Sequence, residues 1–217
     1  MCIRDRFICS RRFVIYIVGI IVLAFGITLN TKTNLGVSPI ISVAFCVSQL
    51  TNVQLGIVTF FWYCIMIALQ AILLGKEFKL YQLLQVFASL LTSWFIGIFD
   101  VLLPAMESLP AKLILLVGAI VITAIGVVLT VGMNVVPNPA DGLSSALGKK
   151  LGRDLGFGKN LFDFSSIVIS LVIGFAFAGE MIGIGIGTVL TMILTGRVIA
   201  FINKRYLWWT KAYIQEN

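Results

Sequence analysis

The 217-residue sequence contains no histidine. That removes imidazole ligands, histidine-based acid–base chemistry and the usual catalytic triads. Charge is scarce as well: Asp, Glu, Lys and Arg make up 12 % of the chain, against about 25 % in soluble domains. The four cysteines, Cys2, Cys9, Cys46 and Cys64, show no C-x-x-C spacing, which argues against a structural zinc site or a disulfide framework. There is no Walker-type phosphate loop, so the chain carries no ATPase site of its own. With no metal cluster and no activated nucleophile, the expectation is a protein that is not an enzyme and takes no cofactor.

What the chain has in abundance is apolar surface, with 59 % hydrophobic residues. A soluble domain has nowhere to hide that much, and lipid is the solvent that fits. The net charge is +7. The basic residues sit between apolar runs, so they read as topology signals. No basic stripe alternates with exposed aromatics, and nucleic acid is therefore not an expected partner. Membrane lipid, a small-molecule solute and further copies of the chain are the expected partners.

A helix needs about 20 apolar residues to cross about 30 Å of hydrocarbon. Phe13–Thr31, Leu80–Phe99, Leu113–Gly132, Asn160–Gly179 and Met181–Asn203 qualify. The uncharged stretch from Thr33 to Gly75 is ambiguous until the chain is compared with itself. Gly26, Asn34, Pro39 and Leu55-Gly56 recur about 100 residues on as Gly126, Asn134, Pro139 and Leu155-Gly156. Glu77 and Leu91-Thr92 recur as Glu180 and Leu194-Thr195. The counterpart of the ambiguous stretch holds Asp141, Lys149, Lys150, Arg153 and Asp154. Each charge at mid-bilayer costs about 2.5–3.5 kcal/mol, so that segment does not cross. By analogy the first copy has one span there, Val53–Leu74, preceded by a short element, Pro39–Leu50.

Six spans with both termini inside put 13 Lys and Arg on the inner side and two, Lys32 and Lys112, outside. This predicts a protein that crosses its membrane many times, with the N-terminus and the C-terminus both cytoplasmic. Three spans per copy means the second copy enters from the opposite face. The expected fold is all-α, two inverted three-helix repeats, each with a short Pro-started helix after its first span. The divisions are a cytoplasmic N-terminus (1–12), a first repeat (13–103), a second repeat (112–203) and a cytoplasmic interfacial tail (204–217). Trp208, Trp209 and Tyr213 serve that tail as headgroup-level anchors. Met1–Arg6 resembles translated adapter DNA and is given no functional weight. No small-x-small site follows the first apolar run, so a cleaved signal peptide is not expected.

Candidate site residues follow from the repeat. Ser38 and Asn138 precede Pro39 and Pro139 as N-caps of the two short helices, whose free N–H groups and positive dipole ends suit a polar or anionic group. Asn34 and Asn134 are equivalent amides just past the first span of each copy. Asp141 lies in the first turn of the second short helix. Its charges favour a surface position for Pro139–Leu151, whereas the uncharged Pro39–Leu50 is expected to dip inward. Arg197 lies deep in the last span. It either snorkels to the headgroups or pairs with Asp163 or Asp141, as a lock or as an inner gate. Gly179, Gly183 and Gly187 are expected to let helix backbones approach. Gln70, Thr92, Thr123 and Thr195 are isolated and can bond to their own helix.

Asn138-Pro139-Ala140 is also the half-helix tripeptide of aquaporins. There it follows the second span of each copy, while here it follows the first, and the first copy has Ser38-Pro39-Ile40 instead. A broader resemblance is carried by Leu35-Gly36-Val37-Ser38-Pro39, by Leu55-Gly56 before an aromatic-rich span, and by Ile182-Gly183-Ile184-Gly185-Ile186-Gly187-Thr188. These runs resemble the bacterial YczE/YyaS/YitT group of multi-pass membrane proteins, over about Phe13 to Lys204. The resemblance implies an inner-membrane protein of about this length and supplies no site residues. The functional expectation is a transporter or facilitator of a small polar or anionic solute, with a site between the repeats. The alternatives are a substrate-binding membrane subunit of an ATP-driven importer, or an accessory or sensor protein.

Overall fold

The computed structural model describes residues 3–133, 135–153 and 155–215, with side chains for 11–133, 135–153 and 156–205. Their regular elements are helices, with no strand among the described residues. The helices are α1 (Ile3–Lys32), α2 (Pro39–Thr51), α3 (Leu55–Leu74), α4 (Gln85–Leu102), α5 (Leu109–Gly132), α6 (Pro139–Lys150), α7 (Leu155–Ala178) and α8 (Ile186–Gln215). Two short 3-10 turns, Gly75–Glu77 and Leu80–Leu84, join α3 to α4. Among the described residues, six helices are long and apolar enough to cross a membrane, and α2 and α6 are too short. Large apolar side chains such as Phe61, Ile72, Phe87, Ile114, Val172 and Phe201 point outward, as lipid contact requires.

The centre of the bundle is the crossing of α1 and α5, and glycine makes it close. A Cβ on Gly26 would lie 2.6 Å from the Thr123 backbone nitrogen, and one on Gly126 would lie 2.6 Å from the Leu23 backbone. Around that crossing α1 packs on α4 and α5 on α8. The short helices cross over: α2 packs on α7 and α6 on α3, while α2 also touches α3 and α6 touches α7. On α4, Gln85, Ser89, Ser93 and Gly97 recur every fourth residue and form its inward stripe, with Gly56 of α3 seated against the Ser93 carbonyl and Gly97.

The largest departure from expectation concerns α6, which lies inside the bundle instead of flat at its surface. It runs alongside α3 in the same direction, with Ala140 beside Tyr63, Gly142 against Gln70 and Lys149 paired with Glu77. Tyr63 is near the middle of α3, so a 12-residue helix about 18 Å long starts halfway down the bundle and ends at one face. Lys149 and Lys150 sit in its last turn, so their charge reaches that face without laying the helix flat. The α2 helix does the same in the other direction. The Ser42 hydroxyl donates to the Ser166 carbonyl, and the Ser170 hydroxyl donates to the Ser42 carbonyl, 3.3 and 3.1 Å away along α7. Ile40, in the first turn of α2, packs against the cluster that holds Ala140, so the two starts meet in the core.

The α7–α8 link also differs from expectation. The residues from Met181 to Gly185 are irregular and α8 starts at Ile186. Gly179 and Gly183 have φ of +74° and +72°, so they make a turn and are not a helix-packing face. Gly187 does pack closely, against the Leu35 and Gly36 carbonyls.

Candidate functional site

Asn138 caps α6 in the expected way, its side-chain oxygen accepting from the Ala140 N–H at 3.1 Å. Its amide lies beside the Tyr63 hydroxyl, outside hydrogen-bonding geometry. One turn on, Asp141 is half-buried, and it faces Tyr63, Lys159 and Asp163. Burial holds the Asp141 carboxyl above its ordinary range, and Lys159 pulls it the other way. Asp163 is 4 % exposed. Lys159, four residues earlier on α7, stands 3.7 Å from its Oδ2, while its Oδ1 has no partner. The Tyr63 hydroxyl and the Gln70 Oε1 are likewise buried without partners.

A cavity of about 720 Å³ reaches this cluster from the end of the bundle that carries Glu77 and Lys149. Gln70, Asp141, Ser145 and Lys159 line it on one side, and Val127, Val131, Gly196, Ile199 and Asn203 on the other. Unpartnered polar atoms beside such a space are what a hydrated path offers.

The opposite end is closed by backbone. The Gly187 N–H donates to the Leu35 carbonyl at 2.7 Å and the Val37 N–H donates to the Gly183 carbonyl at 2.8 Å, so the link before α2 is tied to the link before α8 and to the first turn of α8. Gly36, at φ +112°, lies against Gly185 and Thr188 with no room for a side chain. Lys32 and Asp100 pair at 2.8 Å near the same end. The repeat-related link on the cavity side is held differently: the Tyr16 hydroxyl donates to the Val136 carbonyl at 3.1 Å.

The structure separates the sequence candidates. Asn138, Asp141 and Asp163 come together. Ser38 is buried at the start of α2 but its hydroxyl makes no capping bond. Asn34 is exposed with φ +52°, the left-handed residue that ends α1, and it does not reach the cluster. Asn134 lies outside the described residues. Arg197 is exposed and does not pair with Asp163 or Asp141, because α8 packs on α5 while both carboxylates face the α3–α6–α7 seam. Tyr63, Gln70 and Lys159 were not singled out by sequence as site residues. For Tyr63 a signal was available, since at an offset of 100 residues it aligns with the candidate Asp163. Of the isolated polar residues, Thr92 does bond to its own helix, whereas Gln70 Oε1 and Thr195 Oγ1 have no partner.

The profile of a family of unknown function (DUF6198) matches residues 10–204. The chain is similar to the uncharacterized membrane protein YczE of Bacillus subtilis (strain 168), 27 % identical over 191 residues, covering 88 % of this chain and 84 % of that one. No solved structure matches. The resemblance read from the glycine-rich runs is thereby borne out. Six apolar helices and a membrane-protein relative identify an integral membrane protein.

Proposed function

The chain belongs to the DUF6198 family, and from that premise we propose that it is a carrier or facilitator for a small polar or anionic solute. The observation that carries this reading is the cavity. It enters from one end, stops at a buried polar cluster where the two half-helices begin, and faces a sealed opposite end. That is the form expected of a carrier open to one side. Two inverted three-helix repeats are part of the reading. The helix pairings support it, since α2 on α7 mirrors α6 on α3, and α1 on α4 mirrors α5 on α8. Gly26 against Thr123 and Gly126 against Leu23 are likewise the same contact made from each copy. The charge bias supports a cavity open to the cytoplasm of a bacterial cell, with both termini on that side. The absence of histidine favours transport over catalysis.

Proteoliposome swelling tests this. Vesicles are placed in isosmotic glycerol, urea, glycine, ammonium acetate or potassium acetate, and light scattering is followed. The expected result is faster swelling than protein-free vesicles in at least one solute, slowed by Gln70→Leu. A second readout is Ser145→Cys in a cysteine-free background. A charged, impermeant thiol reagent should label it from the cytoplasmic side alone. No swelling together with an unreactive Cys at 145 refutes the carrier reading and favours a dry accessory protein.

A further inference from the structure

The charges inside the cluster do not balance. Asp141 and Asp163 bring two negative charges, and Lys159 brings one positive. At 3.7 Å the Lys159–Asp163 contact is longer than a charge-assisted hydrogen bond, and it leaves Asp163 Oδ1 with no partner at 4 % exposure. A buried, uncompensated carboxylate is costly and is normally neutralised by a partner or a proton. Among the described residues, Lys159 is the one cation within ion-pair distance of Asp163. On α3 the facing groups are Tyr63 and Gln70, and on α6 they are Asn138 and Asp141. Where α2 packs on α7 it offers Ser42 and Cys46. Across the cavity α5 and α8 contribute Val127, Val131, Gly196, Ile199 and Asn203. At the mouth Lys149 is engaged by Glu77, leaving Lys79 on the rim.

We propose that Asp141 and Asp163 hold one exchangeable proton between them, and that this proton is the ion that drives the carrier. Gln70 gives the second, independent support. It is 1 % exposed, its Oε1 has no partner, and it lines the same cavity as Asp141. It therefore marks a polar path between the buried carboxylates and the open end. The step is simple to balance. A hydronium ion in the cavity gives its proton to a carboxylate oxygen, an O–H bond forms, water is left, and the cluster goes from one net negative charge to none. Release is the reverse. A proton needs only the one free oxygen, whereas an alkali ion would need several oxygens arranged around it. The driving role rests on the carrier reading; the binding site does not.

Infrared difference spectroscopy of the purified full-length protein in detergent tests the site without transport. The expected result is a protonated-carboxyl C=O band that titrates at a pH above about 5, where exposed carboxylates are already ionised. The band should be lost in Asp163→Asn or in Asp141→Asn, and be the same in sodium and in choline chloride. Lys159→Gln should hold the band to higher pH, by about 1–3 units, because an attractive charge has been removed. That variant decides the matter if the Asp variants do not fold. A band that is absent above pH 5, unmoved by Lys159→Gln, or displaced by sodium but not by choline overturns the proposal. A titrating band with no swelling and an unreactive Cys at 145 leaves the proton site standing and removes the carrier. Solute movement with no such band does the reverse.

Discussion

Adding one methyl group at the α1–α5 crossing should destabilise the protein from either side, and the two changes should overlap. A Cβ on Gly126 would lie 2.6 Å from the Leu23 nitrogen and Cα, and ordinary contact begins at 3.4 Å. Gly26 meets the Thr123 nitrogen at the same 2.6 Å. These contacts are with backbone, so no side chain can turn away, and the helices must part by the 0.8 Å between those two distances. Overpacking of this kind costs about 1–3 kcal/mol. Helix propensity pulls the other way by up to about 1 kcal/mol, because alanine favours the helix over glycine. The net expectation for Gly26→Ala or Gly126→Ala is a loss of about 1–2 kcal/mol. One separation accommodates both methyls, so the double variant should lose little more than the worse single. Equilibrium unfolding of the detergent-solubilised protein measures this, with Gly118→Ala as control because no atom lies within 4 Å of its added Cβ. If Gly126→Ala is no worse than Gly118→Ala, the close crossing is wrong. If the two losses simply add, the contacts are independent, and the symmetric crossing fails.

Three other outcomes follow from the same structure. Gly36→Ala places a side chain at φ +112° against Gly185 and Thr188, and should cost about 1–3 kcal/mol by opening the sealed end. Thiol labelling of a cysteine at Ile182 from the outer side should rise in that variant, and unchanged labelling counts against the seal. Ser170→Ala removes the hydroxyl that donates to the Ser42 carbonyl and should lower stability by about 0.5–1.5 kcal/mol in the same unfolding assay, while a neutral result would show that this hydrogen bond adds nothing to the hold on α2. The Asp141 carboxyl is held above its ordinary value, so the folded state binds its proton more readily than the unfolded chain does. That stabilising contribution is complete below the ordinary aspartate value and is lost as pH rises through the raised one. Asp141→Asn should therefore melt increasingly above the parent as pH rises past the ordinary aspartate value of about 4, and a constant offset would refute the sign.

Much of the molecule is legible before any coordinates are known. Four of the six spans follow closely from the charges that interrupt the apolar runs, and a fifth, α3, follows from comparing the chain with itself. The sixth starts at Ile186, because two glycines with positive φ delay it. The Pro-started helices follow from Ser38-Pro39 and Asn138-Pro139, and the Asn138 cap forms as its chemistry suggests. The direction in which α6 points was not legible. Lys149 and Lys150 argue for the surface when counted as composition, yet both lie in the last turn, and the first turn and middle are small residues that fit against Gly158 and Gln70. The candidate site was half legible. Asn138, Asp141 and Asp163 stand out as polar residues in apolar surroundings. Tyr63 and Gln70 look like ordinary span residues until α6 is laid beside α3.

The sequence by itself determined the solvent and the number of spans, because transfer of apolar and charged groups into lipid is a local property of each segment. Only the tertiary structure decided which polar groups share a space. Asp163 lies beside Asp141 and Lys159 and away from Arg197, because α8 packs on α5 and leaves α7 facing α6. That choice depends on helix faces and on the glycines at the crossing. That crossing joins segments about 100 residues apart, and no local pattern encodes it.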